Sequence, residues 1–152
     1  DVYRDGALSS LSYQVSSGIM KGIYTEENRA IAYEQALKVL RNEIAREDVI
    51  AVLGCNPWVY LEANASCGCY TAWQFTGGEK TLEQYYRMFQ SRIPSVIIAV
   101  PEEINTYEYW KFSSHGAGLN IAEEDVLNNV LMKIVKEGNY KIEENDGIVL
   151  YR

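Results

Sequence analysis

Apolar positions along this chain follow two kinds of pattern. From residue 28 to residue 44 they recur at helical spacing. Tyr33, Leu37, Leu40 and Ile44 share one face, and Glu34, Lys38, Arg41 and Glu43 lie away from it. Thr25 reads as the N-cap, followed by Glu26 and Glu27 where negative charge complements the helix dipole. The same spacing returns in "LEQYYRMFQSR", with Leu82, Tyr85, Tyr86 and Phe89 on one face behind a capping box of Thr81 and Gln84. A last helix places Leu127, Val130, Leu131, Ile134 and Val135 together, with a start signal in Asn120 and Glu123 and a C-cap in Gly138. Residues 49–53 and 96–100 are instead short, almost wholly apolar runs, the pattern of strands covered on both faces.

Between these stretches the punctuation is clear. Leu11, Tyr13 and Val15 alternate as in a strand, and Gly18 and Gly22 mark bends. Asn56 before Pro57 starts a helix of about two turns in "PWVYLEANA". "CYTAWQF" is rich in strand-favouring residues, and Gly77 and Gly78 end it. "PEEINTYEYWKFSSHGAGLN" is a long connection with a helical turn around 107–112. "YKIEENDGIVLYR" alternates on both sides of Asp146-Gly147, a hairpin signal. Helix and strand thus alternate, and no repeat or linker divides the chain. The expectation is one α/β domain over residues 1–152: a three-layer, Rossmann-like, mostly parallel sheet with a C-terminal antiparallel β-hairpin.

Composition narrows the partners. Fourteen Lys and Arg against 21 Asp and Glu leave a net charge of −7, which repels nucleic acid and anionic membrane surfaces. No apolar run approaches the roughly 18 residues of a membrane helix, so this segment is not expected to insert directly. The sequence opens on Asp1 without a signal-peptide pattern, as expected of a processed chain or a piece of something longer. Twelve tyrosines are many for 152 residues; their rings suit sugar-binding faces as well as half-buried positions.

"DVYRDG", "SGIMKGIYTEENRAIAYEQAL", "GCNPWVYLEANASCGCYTAW" and the closing "GIVLYR" together resemble the soluble C-terminal domain of bacterial polytopic membrane proteins. Those proteins are glycosyltransferase-like, similar to mannosyltransferases that use lipid-phosphate sugar donors. The resemblance covers the whole chain and implies an extracytoplasmic accessory domain. The family's catalytic aspartates lie beside membrane helices that this sequence lacks, so no position here inherits a catalytic role. Its implied partners are its own membrane domain or a glycan.

Residues 54–73 hold all three cysteines and two of the three tryptophans. Cys67 and Cys69, separated by one residue, could join Cys55 and the single His115 in a zinc site. Structural zinc sites, however, usually space their paired ligands by two to four residues. A disulfide from Cys55 to Cys67 or Cys69 fits an oxidising compartment. Small buried residues beside a parallel strand are the favoured account of the same cysteines. Because loops after parallel strands converge on one edge, Cys55 and His115 could meet as nucleophile and base of a small hydrolase. Nucleotide binding has no support: Pro57 and Trp58 stand where a phosphate loop needs glycine, and no cofactor is expected. Glu102 and Glu103 read as a solvated turn, and Asn64-Ala65-Ser66 matches the short glycosylation pattern. The favoured site is a shallow binding surface at the strand ends. Asn56, Trp58, Tyr60 and Trp73 would meet there with Trp110 and His115 from the later loop, offering aromatic faces and amides to a glycan or a protein surface. Against this stands the weightier alternative that Trp58 and Trp73 simply fill the core.

Overall fold

The computed structural model describes residues 9, 11–54, 56–70, 78–101, 104 and 122–152, with 122–125 described by their backbone alone. Strands β1 (Tyr13–Gln14) and β2 (Tyr24–Thr25) precede helix α1 (Glu27–Glu43). There follow β3 (Val49–Val52), α2 (Pro57–Ala63), β4 (Ser66–Cys67), α3 (Glu79–Met88) and a 3₁₀ turn, Gln90–Arg92. The chain then forms β5 (Val96–Ala99), α4 (Ala122–Glu137), β6 (Ile142–Asn145) and β7 (Ile148–Tyr151). The fold is mixed α/β. One sheet has five strands in the order β4-β3-β5-β7-β6, and β1 and β2 make a separate antiparallel pair. The two apolar runs pair in parallel, Ile50 opposite Val96 and Val52 opposite Ile98, and β4 adds a third parallel strand. The last hairpin joins antiparallel through β7 on β5, and its turn has Asp146 and Gly147 at φ 48° and 77°, the pair of left-handed residues a tight hairpin needs.

Strand alternation sorts the core into two clusters. Ile50, Val52, Val96, Ile98, Ile148 and Leu150 pack with Tyr33, Leu37 and Leu40 of α1 and with Trp58 and Val59 of α2. Ala51 and Ile97 pack with Leu82 and Tyr86 of α3 and with Leu127, Val130, Leu131 and Val135 of α4. The helical faces expected in α1 and α4 therefore form as read. In α3 the inward residues are Leu82 and Tyr86, and Phe89 stands out into solvent.

Element starts depart from the sequence reading where pairing competes with capping. Thr25 belongs to β2, buried and paired with Tyr13, so Glu26 takes the N-cap position of α1 without a side-chain cap bond. Helix α3 begins at Glu79, ahead of the expected capping box. Gly78 is its N-cap, and the Thr81 amide already donates to Gly78 O at 2.9 Å. Of the strand expected in 69–75 only Cys69 and Tyr70 are among the described residues, and a short strand lies just before them. Asn64 ends α2 at φ 50° and turns the chain into Ser66–Cys67, which pairs with Val49 and Ile50; Cys69 and Tyr70 form a bend. Helix α4 ends before Gly138, but the left-handed residue is Asn139. The helical turn expected around 107–112, Asn120, Glu102 and Glu103 lie outside the described residues.

The β1–β2 hairpin is tied to the helices by two carboxylates. Glu34 Oε1 accepts from the Ser16 amide at 2.8 Å and from its hydroxyl at 2.6 Å, and these bonds hold the Glu34 carboxyl below its ordinary pKa. Glu62 Oε1 accepts from the Ile19 amide and from the Tyr33 hydroxyl at 2.8 Å, while Oε2 pairs with Arg41 at 3.3 Å.

Candidate functional site

The chain leaves β3 through Leu53, whose amide extends the pairing to Ile98 O at 2.8 Å, and then turns sharply at Gly54, φ 75°. Helix α2 follows and packs in the cluster with α1, whereas the next described helix after β5, α4, packs in the other cluster. In open α/β sheets ligands usually sit outside the carboxyl ends of the parallel strands. After β5 the chain first keeps to the α1–α2 side, with Val100 and Ile104 in that cluster, and the turn after β3 is tied to α4. Asn128 on α4 accepts the Gly54 amide on its Oδ1 at 2.9 Å.

Asn56 is fully buried; its Nδ2 donates to Leu53 O at 3.0 Å, and it makes no side-chain cap bond to α2. The side chain braces the turn it follows. Trp58 is 5% exposed, with its ring 5.2 Å from that of Tyr33 and tilted by 58°. It is a core residue, not an exposed stacking face. Tyr60 is half-buried and also turns inward. Its oxygen accepts the Val52 amide at 3.0 Å and its hydroxyl donates to Cys69 Sγ at 3.4 Å. The Val52 amide needs this partner because the pairing of β4 with β3 ends at Ile50 and Cys67. Burial pushes the Tyr60 phenol up, as does the neighbouring Cys69.

Cys69 lies between two phenols, accepting from Tyr60 and, at 3.9 Å, from the Tyr86 hydroxyl. Burial pushes its thiol up to about 11, so it is a protonated packing group at neutral pH and not a nucleophile. Cys67 is half-buried, with its thiol 3.5 Å from Cys69 O. Both are free thiols, so neither forms the disulfide to Cys55 that their spacing allowed. Among the described residues no group of three or more His, Cys, Asp or Glu could hold a metal ion. Cys55, Trp73, Trp110 and His115 lie outside the described residues, and with them the Cys55–His115 pair and two members of the zinc set.

Of the residues proposed for the binding surface, the structure describes Asn56, Trp58 and Tyr60, and each engages interior groups. Asn128 was missed: it follows Leu127 at the margin of an amphipathic helix, where an Asn reads as solvated surface. The only hint was an uncharged residue in a helix that begins with acids. Among the described residues no helix is long and apolar enough to cross a membrane. No family model, curated protein or solved structure matches the chain.

Proposed function

We propose that this chain is a non-catalytic module of a membrane glycosyltransferase-like protein, built as a three-layer, Rossmann-like domain. It works on the extracytoplasmic side, where it binds glycan or docks on the protein's own membrane part. The resemblance in the sequence supplies the family. The occupied turn after β3 supports the non-catalytic part. The Gly54 amide, the donor that such a turn offers to a ligand, is taken by Asn128, and Asn56, Trp58, Tyr60 and Cys69 are all engaged by interior groups. Two apolar clusters split by strand parity support the layered reading.

Location and chemistry test it together. In the bacterial host, an antibody to this chain should detect a membrane-bound polypeptide longer than 152 residues. Protease added to intact spheroplasts should cleave it. A protected, cytosolic product overturns the reading. So does an ester or peptide hydrolysis by the purified chain that Cys55→Ala abolishes.

A further inference from the structure

We propose that the outer side of α3, with the bend at Tyr70, is a platform for stacking a neutral glycan. This deepens the glycan-binding half of the reading above and rests on it for the source of the sugar. The chemistry of the surface stands by itself. Three rings form a continuous array. Tyr70 meets Tyr85 edge-on, with centroids 5.7 Å apart and planes at 88°, and Tyr85 meets Phe89 at 5.3 Å and 45°. Tyr70 is 66% exposed and Phe89 49%, with Tyr85 half-buried between them. Such rings in water are costly unless something covers them.

The array is held from behind. Tyr85 packs on the buried ring of Tyr86 at 5.3 Å, and the Tyr86 hydroxyl reaches Cys69 Sγ, the residue directly before Tyr70. The Phe89 amide donates to Tyr85 O at 2.9 Å and the Arg92 amide to Phe89 O at 2.8 Å, which fixes the ring spacing through the end of α3. Arg92 Nη1 in turn donates to Cys67 O at 3.1 Å. The guanidinium lies close enough to Tyr85 to oppose the rise that burial causes in its phenol. A surface arranged before binding loses little entropy when a ligand arrives.

Three features favour a sugar as the occupant. Two of the three rings are phenols, which pair an apolar face with a hydroxyl at its rim. A guanidinium with five N–H donors stands beside them, suited to hydroxyl acceptors. The exposed ring area is small, roughly 300 Å² if each aromatic side chain offers about 200 Å² in full, well below the ~800 Å² per partner of a stable protein interface. A neutral glycan also escapes the repulsion that a net charge of −7 imposes on anionic ligands.

The test is ¹⁵N NMR titration of the whole chain with three linear neutral oligosaccharides: maltoheptaose, cellohexaose and mannohexaose. At least one should give saturable shifts of the Tyr70, Tyr85, Phe89 and Arg92 amides, with a Kd of about 1 mM or tighter. Phe89→Ala removes an exposed ring and should fold normally while weakening binding by at least about fivefold; Tyr85→Phe, which keeps the stacking face, should retain most of it. The proposal fails if none of the three sugars moves these amides at about 20 mM, a concentration well above that Kd. It also fails if the shifts survive Phe89→Ala, or if the same amides shift with protein concentration and sedimentation finds a dimer that Phe89→Ala dissolves. Sugar binding by a cytosolic protein would remove the membrane-module reading and leave the platform. A membrane location without binding would remove the platform alone.

Discussion

Glu62 has a side chain only 5% exposed, yet it gathers three groups from two segments: the Ile19 amide of the hairpin loop, and the Tyr33 hydroxyl and Arg41 guanidinium of α1. Gly18 lies against the same carboxylate. At φ 72° it occupies backbone space that side chains avoid, and a Cβ there would stand 2.6 Å from Glu62 Oε1 and from Leu37 Cδ1. Gly18→Ala should therefore destabilise the protein by about 1–3 kcal/mol through strain and displacement of the carboxylate. Glu62→Ala should cost about 1–3 kcal/mol by leaving the Ile19 amide and the Tyr33 hydroxyl without their acceptor. Because both changes break one contact, the double variant should lose less than the sum, a coupling of about 0.5 kcal/mol or more. Urea denaturation measures all three, and strict additivity would show that the contact is not shared. The thiols make a second prediction at this scale. In Cys55→Ser at pH 8, the half-buried Cys67 should react first with a disulfide reagent. Cys69, raised to about 11 by burial, should react at least about 100-fold more slowly until urea is added.

At the scale of elements, the β1–β2 hairpin depends on carboxylates more than on its own two-residue strands. Glu34 is held down by the Ser16 hydroxyl first and the Ser16 amide second. A carboxyl with a lowered folded pKa contributes stability that is present above its unfolded value, near 4.5, and is lost as pH falls through the folded value. Acidification from pH 6 to pH 3 should thus loosen this hairpin ahead of the main sheet. The Val15 and Gly22 amides, which bond to Ile23 O and Val15 O, should lose hydrogen-exchange protection first. Glu34→Gln should show weaker protection at pH 6 and a smaller change on acidification. The same hairpin shows why parts of the fold were legible and others were not. Tyr33, Leu37, Leu40 and the apolar runs 49–53 and 96–100 declare themselves because burial acts on many residues with one period. Element starts turn on single competitions: Thr25 is as good a strand residue as a cap, and only its pairing with Tyr13 decides. The edge strand β4 is set by the register of Ser66 on Val49, a distant partner that composition does not encode. For the candidate site, the aromatic residues were legible as types, but which rings turn inward depends on such partners. Trp58 finds Tyr33 and Tyr60 finds Val52, while Phe89, placed by periodicity on the buried face of α3, ends beyond the last residue that the sheet covers.

For the molecule as a whole, the sheet is shared by both apolar clusters, and that sharing decides how it should unfold. Adjacent residues of β5 serve opposite sides: Val96 and Ile98 meet α1 and α2, and Ile97 meets α3 and α4. Neither cluster can lose its strands while the other keeps them. Leu37 and Leu131 are fully buried, one in each cluster, and have no partner in common across the sheet. Leu37→Ala and Leu131→Ala should each cost about 2–5 kcal/mol, the transfer of the side chain plus the cavity left behind. Their effects should add to within about 0.5 kcal/mol, since contacts separated by a strand layer seldom couple. Each variant should still melt in one transition, with far-UV circular dichroism and tryptophan fluorescence coinciding. With Trp73 and Trp110 replaced by Phe in every variant compared, Trp58 in the first cluster makes fluorescence a reporter for that side. If Leu131→Ala separated the two signals, so that the α3–α4 side melted while Trp58 stayed buried, the strands would not be binding the two clusters into one unit. The fixed spacing of Tyr70, Tyr85 and Phe89 would then lose its rigid backing, because Tyr86, the ring beneath them, belongs to the cluster that had melted.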